Sequence, residues 1–596
     1  MNNSIFFKIS SAYNFLEKAD KPKFWTILIL MFIGMLFEIG GISILLPLMT
    51  VIMDSDIENQ YPFLAPLLEF LDKPSKETLV IFSLAVVLVY YAIKSTYLIF
   101  LAKTQAKFTY HIKSVISQKL FNSYINQSYS FHLKNNSSDL IRNITTEITH
   151  FTDGILKQIL FLGVETAVVI GISILLFIID PLTMSVIIFT LGSGSASYYF
   201  YAKNNLIKWG AIRQENESAR IKHLQQALAG IKEVKISGKE INFINAFRKH
   251  NLLANEVEGN QFFYTFLPRI FLETLAVITL IILIYSLIYQ GKTVETIIPT
   301  LAVFAAGAFR ILPSTARIMH AISQLRFEAP VLWLFIKEME LYNEVFAKLK
   351  ESNIDNQQSV KPIKFRKAIQ IENLTYSYDN SESAVLFNID IAINKNEIIG
   401  FVGESGAGKT TLINILLGLL EPTKGRILCD SVDVAKNSKS WQKIIGYVPQ
   451  SVFLTDDTVI SNIAFGEKRE DIDIQRINKA IEYAQLEELV SSLEKGLETN
   501  LGERGVRLSG GQIQRIGIAR ALYHDPLILV FDEASSALDN ETEKEIVKAI
   551  DSLGGKKTII MIAHRISTLA NCNKIYTLKK GKLIKESTYE ELQKNS

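Results

Sequence analysis

The sequence is poor in cysteine and in charge. Only two cysteines, Cys429 and Cys572, occur in 596 residues, which excludes a disulfide framework and a cysteine-ligated zinc cluster. The net charge of +3 lacks the basic excess of a nucleic-acid-binding protein, so no nucleic-acid partner is expected. Charged residues make up 21% of the chain and hydrophobic ones 48%, which is too apolar for a soluble protein with charges spread throughout.

Long apolar runs account for this composition. Each run exceeds the roughly 20 residues that a helix needs to cross a hydrocarbon core. They cover residues 24–53, 79–102, 155–179, 181–202, 262–289 and 297–322. Six such runs predict an all-α transmembrane domain of six long helices over residues 1–336, rather than buried helices of a large soluble domain.

Lysine and arginine indicate the orientation of these helices. Three lysines precede the first run, segments 103–157 and 203–260 are basic, and segment 54–77 is acidic. Basic segments stay in the cytosol, so we expect a cytosolic N-terminus and a cytosolic second half. The two basic segments are expected to be helices that extend from the membrane. Segment 54–77 suits either a short interfacial helix or a loop packed on its own protein.

The second half has a different pattern. Residues 337–367 form a polar linker, and from 368 to 596 short β-branched runs alternate with helical periodicity. This pattern predicts an α/β domain with a parallel sheet.

A phosphate-binding loop follows the first apolar strand of that domain. The strand Ile398–Val402 leads into a loop that fits G-x-x-x-x-G-K-[ST] and then into a helix. Backbone N–H groups of such a loop bind phosphate oxygens, the lysine reaches the β- and γ-phosphates, and the hydroxyl ligates Mg²⁺. The predicted ATP-binding residues here are Gly403, Glu404, Ser405, Gly406, Ala407, Gly408, Lys409, Thr410 and Thr411.

Two further motifs suit the same chemistry. The apolar run 527–531 ends in Asp532 and Glu533, where the aspartate suits Mg²⁺ binding and the glutamate can accept a proton from attacking water. Ser509 and two glycines precede a helix, which suits either an ordinary N-cap or a second anion site. A second phosphate-binding site in the same chain would complete the nucleotide site of another protomer.

Together these motifs resemble the nucleotide-binding domain of an ABC transporter. Leu508–Gln512 matches the family signature, which makes Ser509, Gly510, Gly511 and Gln512 candidate ATP contacts. Gln450 fits the Q-loop, Asp539 the D-loop, His564 the switch histidine and Tyr378 the aromatic residue that stacks on adenine. Residues 502–505 resemble the X-loop of exporters.

The resemblance implies a mechanism and a homodimer. Two ATPase domains would sandwich two ATP molecules, each between Lys409 of one chain and Ser509 of the other. It implies that Glu533, His564, Lys409 and Gln450 are catalytic and that Thr410, Gln450 and Asp532 hold Mg²⁺. Six crossings before one ATPase resemble an exporter half-transporter, whose coupling helices would lie at Gln226–Glu240 and Ser128–Asn136; plain amphipathic helices are the alternative.

Charges inside the crossings suggest the substrate, because they are costly in lipid and usually face a cavity. Arg310 and Arg317 lie about two turns apart on one helix face, without an acid nearby in that helix. The predicted cavity residues are Lys94, Arg269, Arg310 and Arg317. Pairing with Glu38 or Glu165 is the structural alternative, and Glu273 can neutralise Arg269.

A basic cavity suits an amphiphile with an anionic head. The chain most resembles the bacterial flippases of lipid-linked oligosaccharides in N-glycosylation. This implies a bacterial inner-membrane protein that moves a polyprenyl-pyrophosphate-linked glycan to the outer leaflet. A phospholipid or lipid A exporter and a drug or hydrophobic peptide exporter are the alternatives, and a non-transporting or regulatory ABC protein is disfavoured.

Overall fold

The structure is a computed structural model of the chain. It describes residues 10, 13–44, 48, 76–289, 294–358, 363–378, 383–502, 505–506, 508–533, 555–563 and 565–594. The proposed external helix within 54–77 lies almost wholly outside these residues, as do the last residues of the first predicted crossing. The chain forms two compact units, one of residues 1–127 and 132–350 and the other of residues 128–131 and 351–596.

Six long helices make up most of the first unit, and each contains all or most of one apolar run. The second, fourth and fifth of them extend into the basic segments, as expected. We label them α1 (Lys21–Ser43), α2 (Lys76–Ile125), α3 (Lys157–Ile179), α4 (Pro181–Ala229), α5 (Glu240–Tyr289) and α6 (Val294–Phe327), followed by α7 (Ala329–Gln358). By length and apolarity alone, four spans in the described part of the chain can cross a membrane: Lys21–Gly41, Glu77–Ile125, Ser137–Ile179 and Glu240–Ile282.

Local sequence explains where these helices bend and turn. Asp180 caps α4 by accepting hydrogen bonds from the backbone N–H groups of Leu182 and Thr183, and Pro181 stands at the first position. Before α3, short α-helical turns alternate with two π-helical turns at Asn143–Glu147 and Thr152–Leu156. Such turns re-aim the side chains that follow.

Packing divides this unit into two apolar clusters. Ile112, Phe151 and Phe335 belong to the first cluster, which joins α1, α2, the lead into α3 and α7. Val168 and Leu272 belong to the second, which joins α3, α4, α5 and α6.

The coupling segments are short helices. Tyr129–Lys134 follows α2, and residues 128–131 of this region group with the second unit. Ile231–Ser237 follows α4 and ends at Gly238, which has a left-handed φ of 61°. The coupling roles of Ser128–Asn136 and Gln226–Glu240 stay predictions.

The second unit is built on two sheets. Its strands are β1 (Ala368–Tyr376), β2 (Leu386–Asn394), β3 (Ile398–Val402), β4 (Lys424–Cys429), β5 (Val432–Asp433), β6 (Ile445–Val448), β7 (Ile528–Asp532), β8 (Thr558–Ile562), β9 (Lys574–Lys579) and β10 (Lys582–Ser587). The antiparallel sheet has the order β2-β1-β4-β5, and the larger sheet the order β10-β9-β3-β8-β7-β6. The neighbours from β9 to β6 are parallel.

Helices complete this α/β unit. They are α8 (Lys409–Leu416), α9 (Ser438–Gln442), α10 (Val459–Ile463), α11 (Ile474–Tyr483), α12 (Glu487–Ser492), α13 (Gly510–Leu522) and α14 (Tyr589–Lys594). Strands β7 and β8 are buried at every position, which is why they read as unbroken apolar runs. The predicted fold class, a helical transmembrane domain followed by an α/β ATPase domain, is confirmed.

Candidate nucleotide site

The phosphate-binding loop connects β3 to the N-terminus of α8. Gly403, Gly406 and Gly408 have φ values of 156°, 80° and 99°, which side-chain-bearing residues rarely adopt. A Cβ at Gly408 would approach Leu386 to 2.8 Å. The glycines therefore permit the tight turn that aims successive N–H groups at phosphate oxygens.

Lys409 and Thr410 begin α8. The Lys409 ammonium is buried and donates hydrogen bonds to the carbonyl oxygens of Gly403, at 2.8 Å, and Glu404, at 3.1 Å. The cation is thus held over the loop. Thr410 is exposed beside it, so its hydroxyl is accessible to a metal ion.

The acidic pair lies at the same edge of the sheet. Strands β3 and β7 both flank β8, so the carboxyl end of β7 lies close to the loop after β3. Burial and the neighbouring Glu533 raise the pKa of Asp532, while the Tyr447 hydrogen bond and the Lys409 charge act in the opposite direction. The phosphate-binding lysine and the aspartate therefore share one electrostatic site.

Two side chains from the β6 region orient this pair. The Tyr447 hydroxyl donates to Asp532 Oδ2 at 3.3 Å, and the Gln450 amide donates to Glu533 Oε2 at 2.7 Å. Glu533 has a left-handed φ of 51°, a costly conformation that is common at functional sites. Sequence reasoning missed Tyr447, although it lies in the same Tyr447–Gln450 segment as the Q-loop glutamine.

This donor set fits Mg²⁺. A hydroxyl, an amide oxygen and a carboxylate are the hard oxygen ligands that the ion prefers, and Mg²⁺ takes its remaining ligands from phosphates and water. No cluster of three His, Cys, Asp or Glu side chains occurs among the residues described, so the structure offers no alternative metal cage there.

Tyr378 lies at the edge of the site. Its hydroxyl lies 3.2 Å from the Thr411 hydroxyl, and its ring packs edge-on against Tyr376. The ring is partly exposed, which leaves a face accessible to a nucleobase. Adenine stacking by Tyr378 stays a prediction.

Ser509 of the signature motif is a helix N-cap, as the structural alternative predicted. Ser509 Oγ accepts from the Gln512 N–H at 3.3 Å, and Gln512 Oε1 accepts from the Ser509 N–H at 2.9 Å, which completes a capping box at the start of α13. Ser509 and Gly510 are exposed, so the second, intermolecular role stays a prediction. Asp539 and His564 lie outside the described residues, as do residues 503 and 504 of the X-loop, and the roles of all of them stay predictions.

The predicted cavity cations all have acidic partners. Lys94 Nζ and Arg310 Nε lie 2.8 Å and 3.0 Å from the same Glu38 oxygen, Arg317 Nε lies 2.6 Å from Glu165 Oε1, and Arg269 pairs with Glu273 at 3.1 Å. The structure therefore agrees with the alternative in which these cations pair with acids. Glu38 on α1 and Glu165 on α3 both face the cations of other helices. Of these groups, only the cluster of Lys94, Arg310 and Glu38 has a net positive charge. An anion site at the four predicted residues therefore stays a prediction.

Sequence reasoning also missed a buried ion pair. Arg213 of α4 donates to both carboxylate oxygens of Glu147, at 3.3 Å and 3.1 Å, and the two side chains are 1% and 0% exposed. Glu328 lies 3.6 Å from the same guanidinium. The pair joins helices that are far apart in sequence, so no local pattern predicts it.

Both units match known protein families. Residues 386–536 match the family described as ABC transporter, and residues 24–309 match the family described as ABC transporter transmembrane region. The chain folds as a half-transporter, with one membrane unit and one ATPase unit.

Relatives cover most of the chain. An ATP-dependent lipid A-core flippase of Idiomarina loihiensis is 30% identical over 81% of this chain and 81% of the relative. One of Ralstonia nicotianae is 29% identical over 80% and 79%. A putative multidrug export ATP-binding/permease protein of Bacillus subtilis is 27% identical over 82% of each chain.

A solved structure agrees with the fold. The structure of a bacterial Atm1-family ABC exporter with ATP bound superposes with a TM-score of 0.71 at 19% identity, over 97% of each chain. The chain belongs to the ABC transporter family and is a half-transporter of the exporter type. It binds ATP with Mg²⁺, couples ATP hydrolysis to transport and, like other half-transporters, acts as a dimer.

Proposed function

We propose that the protein forms a homodimer that flips an anionic lipid of the lipid A type from the inner to the outer leaflet of a bacterial inner membrane. The observation that carries this proposal is the similarity to lipid A-core flippases over about four-fifths of both chains. These relatives support the lipid A alternative better than the polyprenyl-pyrophosphate-linked oligosaccharide, which was our first interpretation of the sequence.

In this proposal ATP hydrolysis drives lipid movement. Lys409 and the loop bind the phosphates, Thr410 and Asp532 hold Mg²⁺, and Glu533, oriented by Gln450, polarises the attacking water. In the proposed dimer each nucleotide also contacts Ser509 of the partner subunit. Closure of this sandwich on ATP and its release on hydrolysis drive the membrane helices.

The membrane unit supports an anionic cargo. The cluster of Lys94, Arg310 and Glu38 has two cations and one acid around partly buried atoms. A net positive cluster inside a membrane domain is costly unless a negative group compensates for it. A phosphorylated head group supplies that charge.

Transport in proteoliposomes tests the proposal. Purified protein is reconstituted with fluorescent lipid A in one sample and labelled polyprenyl-pyrophosphate oligosaccharide in another. We expect ATP-dependent movement of lipid A between leaflets. Movement of the oligosaccharide alone would restore the first interpretation, and movement of neither, with ATPase activity intact, would favour drug or peptide export.

A further inference from the structure

A groove between α4 and α6 runs along the membrane unit. Its first part is a cavity of about 430 Å³ between α3, α4 and α6, and its second part is a cavity of about 230 Å³ between α4 and α6. Ser195 and Thr315 line both cavities, so the two parts meet. We call the whole the α4–α6 groove.

The groove is apolar at one end and cationic at the other. Ile170, Ile174 and Ile188 line the first part, together with other aliphatic residues. Lys203 and Arg326 line the far end of the second part. This polarity matches a molecule with a hydrocarbon chain and an anionic head.

The two cations of the groove differ from the four that the sequence singled out. Those four are paired with Glu38, Glu165 or Glu273, whereas no carboxylate lies within 4.0 Å of Lys203 or Arg326 among the residues that the structure describes. Aromatic residues contact both cations. The Arg326 guanidinium donates a hydrogen bond to the Tyr199 hydroxyl and lies 4.5 Å from the centre of that ring, and the Lys203 ammonium lies 5.0 Å from the Phe200 ring centre. Their charges are therefore open to an external anion.

Two buried polar atoms along the groove also lack partners. Ser195 Oγ and Arg326 Nε are inaccessible to solvent and make no hydrogen bond. Leaving a buried polar group without a hydrogen bond is costly, so a ligand that supplies the bond is favoured. Both atoms are donors, and the oxygens of an anionic head group and its ester linkages are acceptors.

The groove is long enough to hold a lipid chain, which fills about half of a hydrocarbon core. From Lys203 to Met184, at about 1.5 Å per helical residue, it extends about 28 Å, close to the roughly 30 Å of a hydrocarbon core. Lys203 and Arg326 would lie at the cytosolic side in the predicted orientation. A lipid of the inner leaflet would thus enter head-down, with its chain pointing towards the opposite face.

We propose that the α4–α6 groove binds one anionic phospholipid-type molecule, with its phosphate on Lys203 and Arg326 and an acyl chain along the apolar part. The identity of the cargo rests on the proposed function, whereas binding of a lipid in the groove does not depend on it. The arginine supplies a planar fork and the lysine a point charge, a combination suited to phosphate.

Photo-crosslinking in the full-length protein tests the groove. The probe is phosphatidic acid with a diazirine at the end of one acyl chain, compared with phosphatidylcholine carrying the same chain, both without ATP. We expect phosphatidic acid to label the lining residues of α3 and α4 at least fivefold more than phosphatidylcholine. We expect the Lys203→Ala/Arg326→Ala variant to lose this preference and Arg326→Lys to keep most of it. Lys103→Ala, which removes an exposed cation of α2 that does not line the groove, should change nothing.

A glycine pair provides a second, charge-independent test. A Cβ at Gly192, which lines the groove, or at Gly163, which does not, meets no atom within 4 Å. Gly192→Leu should fill the groove and abolish labelling, whereas Gly163→Leu should leave it unchanged. Equal labelling by both lipids, or labelling that persists in Gly192→Leu, would overturn the inference.

Competition separates this inference from the proposed function. If unlabelled lipid A displaces the probe, the groove and the cargo are supported together. If the probe labels the groove as described and lipid A does not displace it, the groove stands and lipid A fails as the cargo.

Discussion

The side-chain amide of Gln450 donates a 2.7 Å hydrogen bond to the carboxylate of Glu533. Gln450 follows β6 and Glu533 follows β7, and these two strands are parallel neighbours, so the sheet itself brings the residues together. In the proposed mechanism Glu533 is the base and Gln450 would also contact Mg²⁺. We therefore expect this contact to link ATP hydrolysis to movement of the loop that contains Gln450.

Replacement of Glu533 by glutamine should stop ATP turnover without preventing ATP binding. An amide cannot accept the proton of the attacking water, but it keeps the size and hydrogen-bonding capacity of the side chain. We expect the ATPase rate to fall by at least a hundredfold, measured as phosphate release, while bound nucleotide measured by filter assay stays near wild type. Glu498→Gln, an exposed change distant from the site in sequence, serves as the control. Substantial hydrolysis by Glu533→Gln would contradict the assignment.

Tyr447→Phe should weaken Mg²⁺ binding. The substitution removes the hydroxyl that holds Asp532 Oδ2 and leaves the ring in place. A hydrogen bond to a charged group contributes about 1.5–3 kcal/mol, and this one is long at 3.3 Å, so we expect the lower end and a rise of about tenfold in the Mg²⁺ concentration for half-maximal ATPase activity. Tyr576→Phe, whose hydroxyl interacts instead with Ala392 O, should not change it. An unchanged Mg²⁺ requirement in Tyr447→Phe would show that the contact does not position the aspartate.

Two substitutions at Ser509 separate its structural and functional roles. Ser509→Ala removes the N-cap and should lower stability by about 1 kcal/mol as well as activity. Ser509→Asp keeps a good N-cap but places a negative charge where the partner's nucleotide phosphates are proposed to lie. We expect its thermal unfolding temperature to be near wild type and its ATPase rate to fall at least tenfold. An active Ser509→Asp protein would show that Ser509 acts only as a helix cap.

The buried pair of Arg213 and Glu147 should be necessary as a pair. Glu147→Gln removes the closer of the two carboxylates beside a buried guanidinium and leaves Glu328, at 3.6 Å, as its charge partner, so we expect a loss of at most about 3–5 kcal/mol. The double change Glu147→Leu/Arg213→Met removes both charges and should recover most of the lost stability. Thermal unfolding in detergent is the measurement, with the exposed pair of Arg269 and Glu273 as the control. A double variant as unstable as the single one would contradict this account.

Sequence alone predicts the parts of the site that depend on contiguous residues. The loop from Gly403 to Thr410 and the acids after β7 are readable because strand, turn and helix follow one another directly. Contacts between distant segments are different. The pairing of Arg213 with Glu147 and of Tyr447 with Asp532 depends on helix rotation and strand order, which no local pattern contains.

The partners of the cations in the membrane unit could not be predicted from local sequence either. Arg310 and Arg317 lack an acid nearby in their own helix, and this made them candidates for an open anion site. Their partners Glu38 and Glu165 come from other helices. Lys203 and Arg326 did not stand out in the sequence, because nothing local indicates that they lack an acidic partner.

Lipid A translocation is the most direct test of the central claim. Proteoliposomes with fluorescent lipid A in the leaflet that faces the ATPase domains are given ATP and Mg²⁺, and quencher accessibility from the opposite side is followed over time. The account predicts ATP-dependent transfer by the wild type and none by Glu533→Gln. Equal transfer by both proteins, or none by a wild type that still hydrolyses ATP, would contradict it.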